Sequence, residues 1–256
     1  MPKISILMGI YNCSPTLAEA INFILEQTYQ DWEMILCDDG SQDDTYHIAK
    51  EYQETYPGKI ILLKNETNQG LNYTLNKCLQ HARGEYIARM DGDDLSLPTC
   101  LEKELTFLEH HPEYDIVSTP MIFFDENGDW GRNYCIKRPK RIDFIKHSPV
   151  FCHAPCMIRR QAMMKVGGYT VDPKMLRFED VNLWFKLYAA GFGGYNLDEP
   201  LYKMRDDINA TRRRSLKSRM NIYPIIIGKN PMTKRRNSIN SALFLPSPIQ
   251  GDIIKN

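Results

Sequence analysis

The sequence predicts an α/β protein in which a mostly parallel central sheet is flanked by helices. Over roughly the first 90 residues, short apolar runs that suit buried strands alternate with segments whose apolar residues recur at helical spacing. Connections of this length form right-handed crossovers between parallel strands. The chain has 256 residues, 43% of them apolar, so we expect one large domain, or one domain with an appendage.

The N-terminal elements alternate regularly along the chain. The predicted strands cover 4–9, 34–37, 60–63 and 86–90, and the predicted helices cover 16–27, 43–56 and 71–82. Asp43 or Asp44 is placed to cap the second of these helices.

The pattern is weaker beyond Pro98. It predicts a helix to about residue 110, a strand over 115–124, a turn over 125–131 and a helix over 178–190. In the last helix, spacing places Trp184 and Leu187 toward the core.

Charge is distributed unevenly along the chain. The 32 basic and 32 acidic residues cancel, which argues against a dedicated nucleic-acid binder. Residues 1–204 nevertheless hold 21 basic and 29 acidic side chains, whereas residues 205–256 hold 11 and 3. Three environments are expected for this basic segment: it binds a diphosphate, it contacts an anionic membrane surface, or it is a solvated tail.

Cysteine usage favours a reducing compartment. The seven cysteines form an odd count without short paired spacings, as in cytoplasmic proteins with free thiols. No apolar run approaches the roughly 18 residues of a membrane span, so we expect a cytoplasmic protein whose membrane contact, if any, is peripheral at the inner face.

Acidic and turn-forming residues follow three of the predicted strands. They are Tyr11-Asn12, Asp38-Asp39-Gly40-Ser41 and Asp91-Gly92-Asp93-Asp94. In parallel sheets, ligands bind beyond the carboxyl ends of the strands, and carboxylates gathered there would repel one another without a cation. An Asp-x-Asp arrangement suits Mg²⁺ or Mn²⁺. The alternative, turn formation and helix capping, is preferred for Asp43 and Asp44 but not for Asp91 and Asp93.

Other ligand motifs are excluded. A calcium loop starting at Asp91 would have Leu95 and Ser96 at its fifth and sixth positions, with Pro98 within it, and both a dinucleotide fingerprint and a phosphate-binding Gly-rich loop are absent. Cys152, His153 and Cys156 lack a fourth ligand at a recognisable spacing for zinc, so His153 is expected near the acceptor or packed against the sheet.

Several motifs together resemble family 2 inverting nucleotide-sugar glycosyltransferases. In order, they are residues 4–12, Asp38-Asp-Gly-Ser41, Asn68-Gln-Gly70, residues 84–94, Gly167-Gly-Tyr169 and Phe178-Glu-Asp180. The similarity covers about 3–205 and implies the GT-A fold, with a nucleotide-binding half (1–94) and an acceptor half (95–205) fused in one domain. Residues 206–256 would form a basic C-terminal extension.

The resemblance also implies roles for the donor-binding residues. Tyr11 would lie against the base, while Asp39, together with Asp38, would hydrogen-bond the uracil or ribose. Asp91 and Asp93 look like the family's Asp-x-Asp motif around Gly92. Asp91 would then face the ribose and the metal, and Asp93 would hold the Mg²⁺ or Mn²⁺ that bridges the diphosphate.

On the acceptor side, Asp180 resembles the family's catalytic base, with Glu179 as a second candidate. The alternative for Asp180 is an acid that complements the helix dipole. The Gly167-Gly168-Tyr169 motif is expected near the donor sugar, or else forms an ordinary turn.

One motif departs from the family pattern. Many relatives carry a Tyr-Arg-x-His-like stretch where this chain reads Tyr202-Lys-Met-Arg205-Asp206. Arg205, or the Arg212-Arg213-Arg214 triplet, could clamp the diphosphate instead, because guanidinium groups bind phosphate oxygens in a bidentate way.

The implied activity is metal-dependent, inverting transfer of a sugar from a nucleotide diphosphate, UDP by expectation, to a hydroxyl of a saccharide or lipid-linked saccharide. The family's usual setting is surface polysaccharide assembly. The alternatives are a non-catalytic nucleotide-sugar or glycan-binding protein, which has no use for a base, and a nucleotidyltransferase, which would release pyrophosphate.

Overall fold

The computed structural model describes residues 1–146, 150–172 and 178–206. The helices are α1 (Ser14–Leu25), α2 (Thr45–Thr55), α3 (Leu71–His81), α4 (Cys100–His110), α5 (Asp143–Lys146), α6 (Arg160–Lys165) and α7 (Glu179–Ala189). The strands are β1 (Ile4–Ile10), β2 (Trp32–Asp38), β3 (Ile60–Lys64), β4 (Tyr86–Arg89), β5 (Leu95–Ser96), β6 (Ile116–Ser118), β7 (Met121–Asp125), β8 (Gly128–Arg132), β9 (Cys156–Arg159), β10 (Gly194–Asn196) and β11 (Tyr202–Arg205).

The described residues form a central seven-stranded sheet in the order β10-β6-β9-β4-β1-β2-β3. All its neighbouring pairs are parallel except those that β9 makes with β4 and β6. The predicted mostly parallel sheet is therefore confirmed, and β1 lies between β4 and β2, so the three strand ends are neighbours.

Helices cover both faces of this sheet. Alternate residues of β1 divide between two cores: Ile6 and Met8 pack with α1, α2 and α4, whereas Leu7 packs with α3, α6 and α7. Because the central parallel strands are buried on both faces, they have continuous apolar runs rather than alternating ones. Trp184 and Leu187 are fully buried in the second core, as helical spacing predicted.

A second sheet has the order β5-β11-β7-β8, and sequence reasoning missed it. The single strand predicted over 115–124 is wrong: β6 and β7 belong to different sheets and are separated by Thr119 and Pro120. Proline lacks the N–H that a ladder needs, which ends β6 there. The predicted turn over 125–131 is also too long, because β8 occupies its second half on an exposed edge.

The predicted helices and the N-terminal strands are present, with ends that differ by one to a few residues. At the second helix, Asp44 makes no capping hydrogen bond, whereas Asp43 accepts from the N–H groups of Thr45 and Ser14 at 3.1 Å each. Asp43 thus joins the starts of α1 and α2. Across residues 1–206 as described, each helix is too short or too polar to cross a bilayer.

Candidate active site

The three predicted strand ends meet at one edge of the central sheet. β1 pairs with β2 so that Ile10 lies opposite Asp38, and with β4 so that Leu7 lies opposite Arg89. The residues that follow these strands therefore converge, as the sequence predicted. Tyr11, Asp39 and Asp91 line the same edge.

The Asp39 carboxylate organises the loop that starts α3. Oδ1 accepts from the Gln69 N–H and from Asn65 Nδ2, both at 2.8 Å, and Oδ2 accepts from the Gly70 N–H at 2.8 Å. A carboxylate has about four lone-pair sites, so these three donors leave Oδ2 able to accept one more N–H or O–H. Asp38 is fully buried beside it and faces the Ser41 N–H at 3.3 to 3.4 Å.

Tyr11 presents its ring at the end of β1, where the residue is 47% exposed. The next residue, Asn12, has a positive φ of 47°, and its side chain accepts from the Gln42 N–H at 2.9 Å while its own N–H donates to Ser41 Oγ. These bonds tie the β1 and β2 loops together. They leave the Tyr11 ring available as a stacking surface.

Asp91 is paired with Arg89, a residue that sequence reasoning missed. Arg89 Nη1 donates to Asp91 Oδ2 at 2.9 Å and Nη2 donates to Oδ1 at 2.5 Å. Burial alone would lower the pKa of Arg89. The nearby charges and hydrogen bonds, of which the charge of Asp91 is the largest contribution, instead raise that pKa above its ordinary value. The available signal was a basic residue inside an otherwise apolar strand, two positions before a carboxylate.

Gly92 lies where a side chain has no room. A Cβ there would lie 2.9 Å from Cys13 Sγ and 3.2 Å from Ile10 Cγ2, and the Gly92 carbonyl accepts from Thr16 Oγ1 at 2.9 Å. The Asp-x-Asp segment therefore packs directly on the start of α1.

The two aspartates after Gly92 differ in environment. Asp93 is half-buried. Asp94 is buried, and its Oδ1 accepts from the Arg205 N–H at 2.8 Å. Burial, followed by the charges of Asp91 and Asp93, raises the pKa of Asp94 well above its usual range. Asp94 therefore supports the fold through its bond to Arg205 and does not open onto the strand-end edge.

The donor set fits a divalent cation that arrives with a nucleotide. Among the described residues, no three His, Cys, Asp or Glu side chains are grouped to hold a metal on their own. Mg²⁺ usually takes one or two protein carboxylates and completes its shell with substrate phosphates and water. Asp93, with the outer lone pairs of Asp91, can supply that share.

Arg205 lies against the Asp-x-Asp segment. Its Nε donates to the Asp93 carbonyl at 3.0 Å, its Nη2 pairs with Glu19 at 2.6 Å, and the guanidinium lies 4.5 Å from the Phe124 ring centroid. Binding a diphosphate would require it to exchange Glu19 for phosphate oxygens. Arg212, Arg213 and Arg214 lie outside the described residues.

Asp180 occupies the first turn of α7 and is half-buried. Burial, and to a smaller extent the charge of Glu179, raises the pKa of Asp180 to about 6. The Val181 N–H and the charge of Arg89 act in the opposite direction, because they favour the charged carboxylate. The N–H of Val181 donates to Oδ1 at 2.7 Å, so the helix N-terminus and a base function are compatible. A general base is most effective when its pKa lies near the working pH.

We expect activity to depend on pH through Asp180. Because a base must be deprotonated, kcat/KM should fall as the pH drops below about 6, the raised pKa of Asp180, rather than below its ordinary value near 3.8. A pH profile of kcat/KM from about pH 3.5 to 9 measures this limb. A limb near pH 4 would show that a carboxyl in an ordinary environment is the base.

His153 packs against the core beside the site. Its Nε2 lies 2.9 Å from the Tyr169 hydroxyl, and its ring meets Trp184 edge-on at 5.8 Å. Burial, and then the charge of Arg89, lowers the pKa of His153 well below its usual range, so the ring is neutral. Of the two sequence expectations for His153, the structure favours packing.

The Gly167-Gly168-Tyr169 motif is clamped by α3. Asn76 Oδ1 accepts from the Tyr169 N–H at 2.8 Å, and Asn76 Nδ2 donates to the Tyr169 carbonyl at 2.8 Å. Lys186 of α7 donates to the Gly168 carbonyl at 2.6 Å. The motif thereby links α3 to the helix that carries Asp180.

Substituting Gly168 should distort this clamp. Gly168 has a φ of +63°, and a Cβ there would lie 2.4 Å from Asn76 Oδ1. We expect Gly168→Ala to cost about 2 to 4 kcal/mol of unfolding free energy, measured by urea denaturation. Gly167→Ala is the matched control, since Gly167 has a similar φ of +71° but nothing within 4 Å of its Cβ position. Equal losses in the two variants would contradict the clamp.

Together, the fold and the arrangement of the strand ends are those of a glycosyltransferase of the GT-A type, and the comparisons with known proteins agree. Residues 5–167 match the family described as "Glycosyl transferase family 2". The chain belongs to glycosyltransferase family 2. It is 49% identical over 214 residues to the putative glycosyltransferase EpsE of Bacillus subtilis, covering 84% of this chain and 77% of that protein.

A more distant relative carries a specific name. The chain is 27% identical over 241 residues to the UDP-Glc:alpha-D-GlcNAc-diphosphoundecaprenol beta-1,3-glucosyltransferase WfaP of Escherichia coli, covering 88% of this chain and 87% of that protein.

Two solved structures share the fold. TarS 1–349 of S. aureus in complex with UDP-GlcNAc superposes with a TM-score of 0.66 at 21% identity, covering 80% of this chain and 59% of that one. The mannosyltransferase PcManGT of Pyrobaculum calidifontis in complex with GDP-Man and Mn²⁺ gives 0.62 at 22% identity, covering 79% and 56%. The chain thus spans less than two thirds of either solved structure, and the predicted GT-A fold is confirmed.

Proposed function

We propose that this chain transfers a sugar from a UDP-sugar, with Mg²⁺ or Mn²⁺, to a hydroxyl of a saccharide or lipid-linked saccharide, with inversion at the anomeric carbon. One observation carries the proposal. The acidic ends of β2 and β4 lie on either side of the end of β1, which carries Tyr11, and together they form a donor-binding edge. Asp180, whose pKa burial raises to about 6, lies close enough to that edge for Arg89 to influence its ionisation.

The donor-binding edge suits a nucleotide diphosphate. Asp39 retains a free acceptor site for a base N–H, and the exposed Tyr11 ring can cover the base. A uridine donor is supported by the WfaP name and by the UDP-GlcNAc in the TarS structure. The GDP-Man and Mn²⁺ in the mannosyltransferase support a metal-bound diphosphate.

The chemistry follows from the positions of the carboxylates. Asp180 accepts the proton of the acceptor hydroxyl as its oxygen attacks the anomeric carbon from the face opposite the diphosphate. The new carbon–oxygen bond forms as the bond to the phosphate oxygen breaks, and its electron pair leaves with the nucleoside diphosphate. A cation held by Asp93 would offset the charge of that leaving group, so a second protonating carboxylate is unnecessary.

We further propose that residues 1–94 bind the nucleotide, that 95–205 bind the acceptor and that the basic extension, 206–256, meets an anionic membrane surface. Its 10 basic and 3 acidic residues suit that surface, which contributes about 1 kcal/mol per nearby basic residue. The diphosphoundecaprenol acceptor in the WfaP name, together with the resemblance, supports surface polysaccharide assembly on a lipid carrier at the cytoplasmic face.

A non-catalytic glycan-binding role is disfavoured by Asp180. Burial makes its charged form unfavourable, as its raised pKa indicates, and binding alone gives no reason to keep a carboxyl there. Nucleotidyl transfer is disfavoured by the family to which the chain belongs.

A thermal-shift screen of nucleotide sugars with and without Mn²⁺ tests the donor. A ligand at 100 times its Kd stabilises the native state by about 2.7 kcal/mol, or about 5 to 10 °C in Tm for a domain of this size. We expect such a shift from UDP-sugars with Mn²⁺ and a smaller one in EDTA. The absence of a shift from every nucleotide sugar would contradict the proposal.

A further inference from the structure

Arg89 is a buried cation at the centre of the candidate site. It is the last residue of β4, which is held between β1 and β9, and its side chain is 6% exposed against 31% for that of Asp91. Both terminal nitrogens donate to Asp91, one to each carboxylate oxygen. Such parallel bonds fix the plane of the carboxylate as well as its position.

The side chains around Arg89 are polar or titratable, and they include Asp180. The guanidinium lies within the electrostatic range of Asp180, Tyr169, His153 and Tyr202. Its Nε has no hydrogen-bond acceptor among the described residues. A buried guanidinium with an unsatisfied N–H is costly for the fold, which indicates a role beyond packing.

The pairing changes what Asp91 can do. Each Asp91 oxygen has one lone-pair site occupied by Arg89 and one that remains for an O–H donor. The guanidinium also neutralises Asp91, which lies beside Asp93 and would otherwise repel an approaching diphosphate. Asp91 is left better suited to accept hydroxyl groups than to bind a cation.

We propose that Arg89 is a positioning residue for Asp91. By pairing with Asp91 it offsets the charge of that carboxylate and holds it in place to accept hydrogen bonds from the donor's hydroxyl groups. Asp93 is then the cation ligand of the motif. This inference rests on the proposed function. It revises the expectation that both aspartates hold the metal.

The test measures nucleotide and metal binding separately in Arg89→Met. UDP affinity is measured by calorimetry at saturating Mn²⁺, and Mn²⁺ affinity of the protein–UDP complex by electron paramagnetic resonance. We expect UDP affinity to fall about tenfold or more, as for loss of a charge-assisted hydrogen bond. Mn²⁺ affinity should not fall, because Asp91 then presents an unneutralised negative charge beside Asp93. Unchanged UDP affinity would overturn the proposal, and so would an equal loss of Mn²⁺ affinity.

Two further variants guard against a simple folding defect. Arg89→Lys keeps the charge but cannot form two parallel bonds, so UDP affinity should fall by less than in Arg89→Met. Arg83→Met is the matched control, because Arg83 pairs with buried Glu33 through Nε and Nη2 at 2.8 and 2.5 Å near the amino-terminal ends of β1 and β4. It should lower stability without changing UDP affinity.

A double-mutant cycle with Asp91→Asn tests whether Arg89 acts through Asp91. We expect Arg89→Met combined with Asp91→Asn to bind UDP about as weakly as the weaker single variant. Additive losses would overturn the positioning role. If the unmodified protein binds no nucleotide, the proposed function fails; if it binds UDP and Arg89→Met binds equally well, only this inference fails.

Discussion

Asp180→Asn should abolish sugar transfer while leaving donor binding intact. Asparagine keeps the size of the side chain but cannot accept the acceptor's proton, and general-base catalysis contributes about 10²- to 10⁴-fold. We expect kcat to fall by about 10³-fold and the Kd for UDP with Mn²⁺ to stay within about twofold. Radiolabelled sugar transfer and calorimetry measure the two quantities.

The same substitution should not lower stability at neutral pH. The folded-state pKa of Asp180, about 6, exceeds its ordinary value of 3.8, so its contribution is favourable at low pH and is lost as the pH rises through about 6. Because asparagine does not ionise, the variant does not lose this stability at neutral pH. We therefore expect its Tm at pH 7.5 to equal or exceed that of the unmodified protein. Glu179→Gln is the neighbouring control and should keep most activity. Full transfer by Asp180→Asn would rule Asp180 out as the base.

Asp93→Ala should abolish metal-dependent turnover. A bound cation supplies several kcal/mol of stabilisation to the departing diphosphate, so losing its protein ligand should reduce kcat/KM by roughly 10³-fold or more. Electron paramagnetic resonance of Mn²⁺ in the presence of UDP should show a parallel loss of bound metal.

Asp94→Asn is the matched control for this prediction. Asp94 is adjacent in sequence but is buried, and its Oδ1 accepts from the Arg205 N–H at 2.8 Å, so asparagine keeps both the size and this acceptor oxygen. We expect Mn²⁺ affinity to change less than about threefold. Retention of metal-dependent activity in Asp93→Ala, or its loss only in Asp94→Asn, would contradict the assignment of Asp93.

The N-terminal half of the fold was predictable because its strands are buried on both faces. β1 and β2 consist almost entirely of buried residues, and a helical periodicity follows each strand. β8 was not predictable, since it is an exposed edge strand around Asp129 and Trp130 without apolar alternation. The change of sheet at Pro120 also depends on tertiary packing, although the proline itself marks the break.

The sequence predicted where the residues of the candidate site lie in the fold, but not which side chains and backbone groups contact them. The rule that ligands bind beyond parallel strand ends located Tyr11, Asp39 and Asp91 at one edge. It gave no indication that Asp39 accepts from two backbone N–H groups of the α3 loop, or that Arg89 occupies both oxygens of Asp91. Those partners depend on which side chains fold back onto the edge, and sequence spacing does not encode that.

The most direct test of the central claim is to follow the reaction products by ¹H and ³¹P nuclear magnetic resonance. The protein is incubated with a UDP-sugar that binds, with a saccharide acceptor and with Mg²⁺, which does not broaden the resonances as paramagnetic Mn²⁺ would. We predict release of UDP together with a glycoside of inverted anomeric configuration, and neither product when EDTA is added. Retained configuration, or activity unaffected by EDTA, would contradict a metal-dependent inverting glycosyltransferase, and release of pyrophosphate from a nucleoside triphosphate would indicate a nucleotidyltransferase.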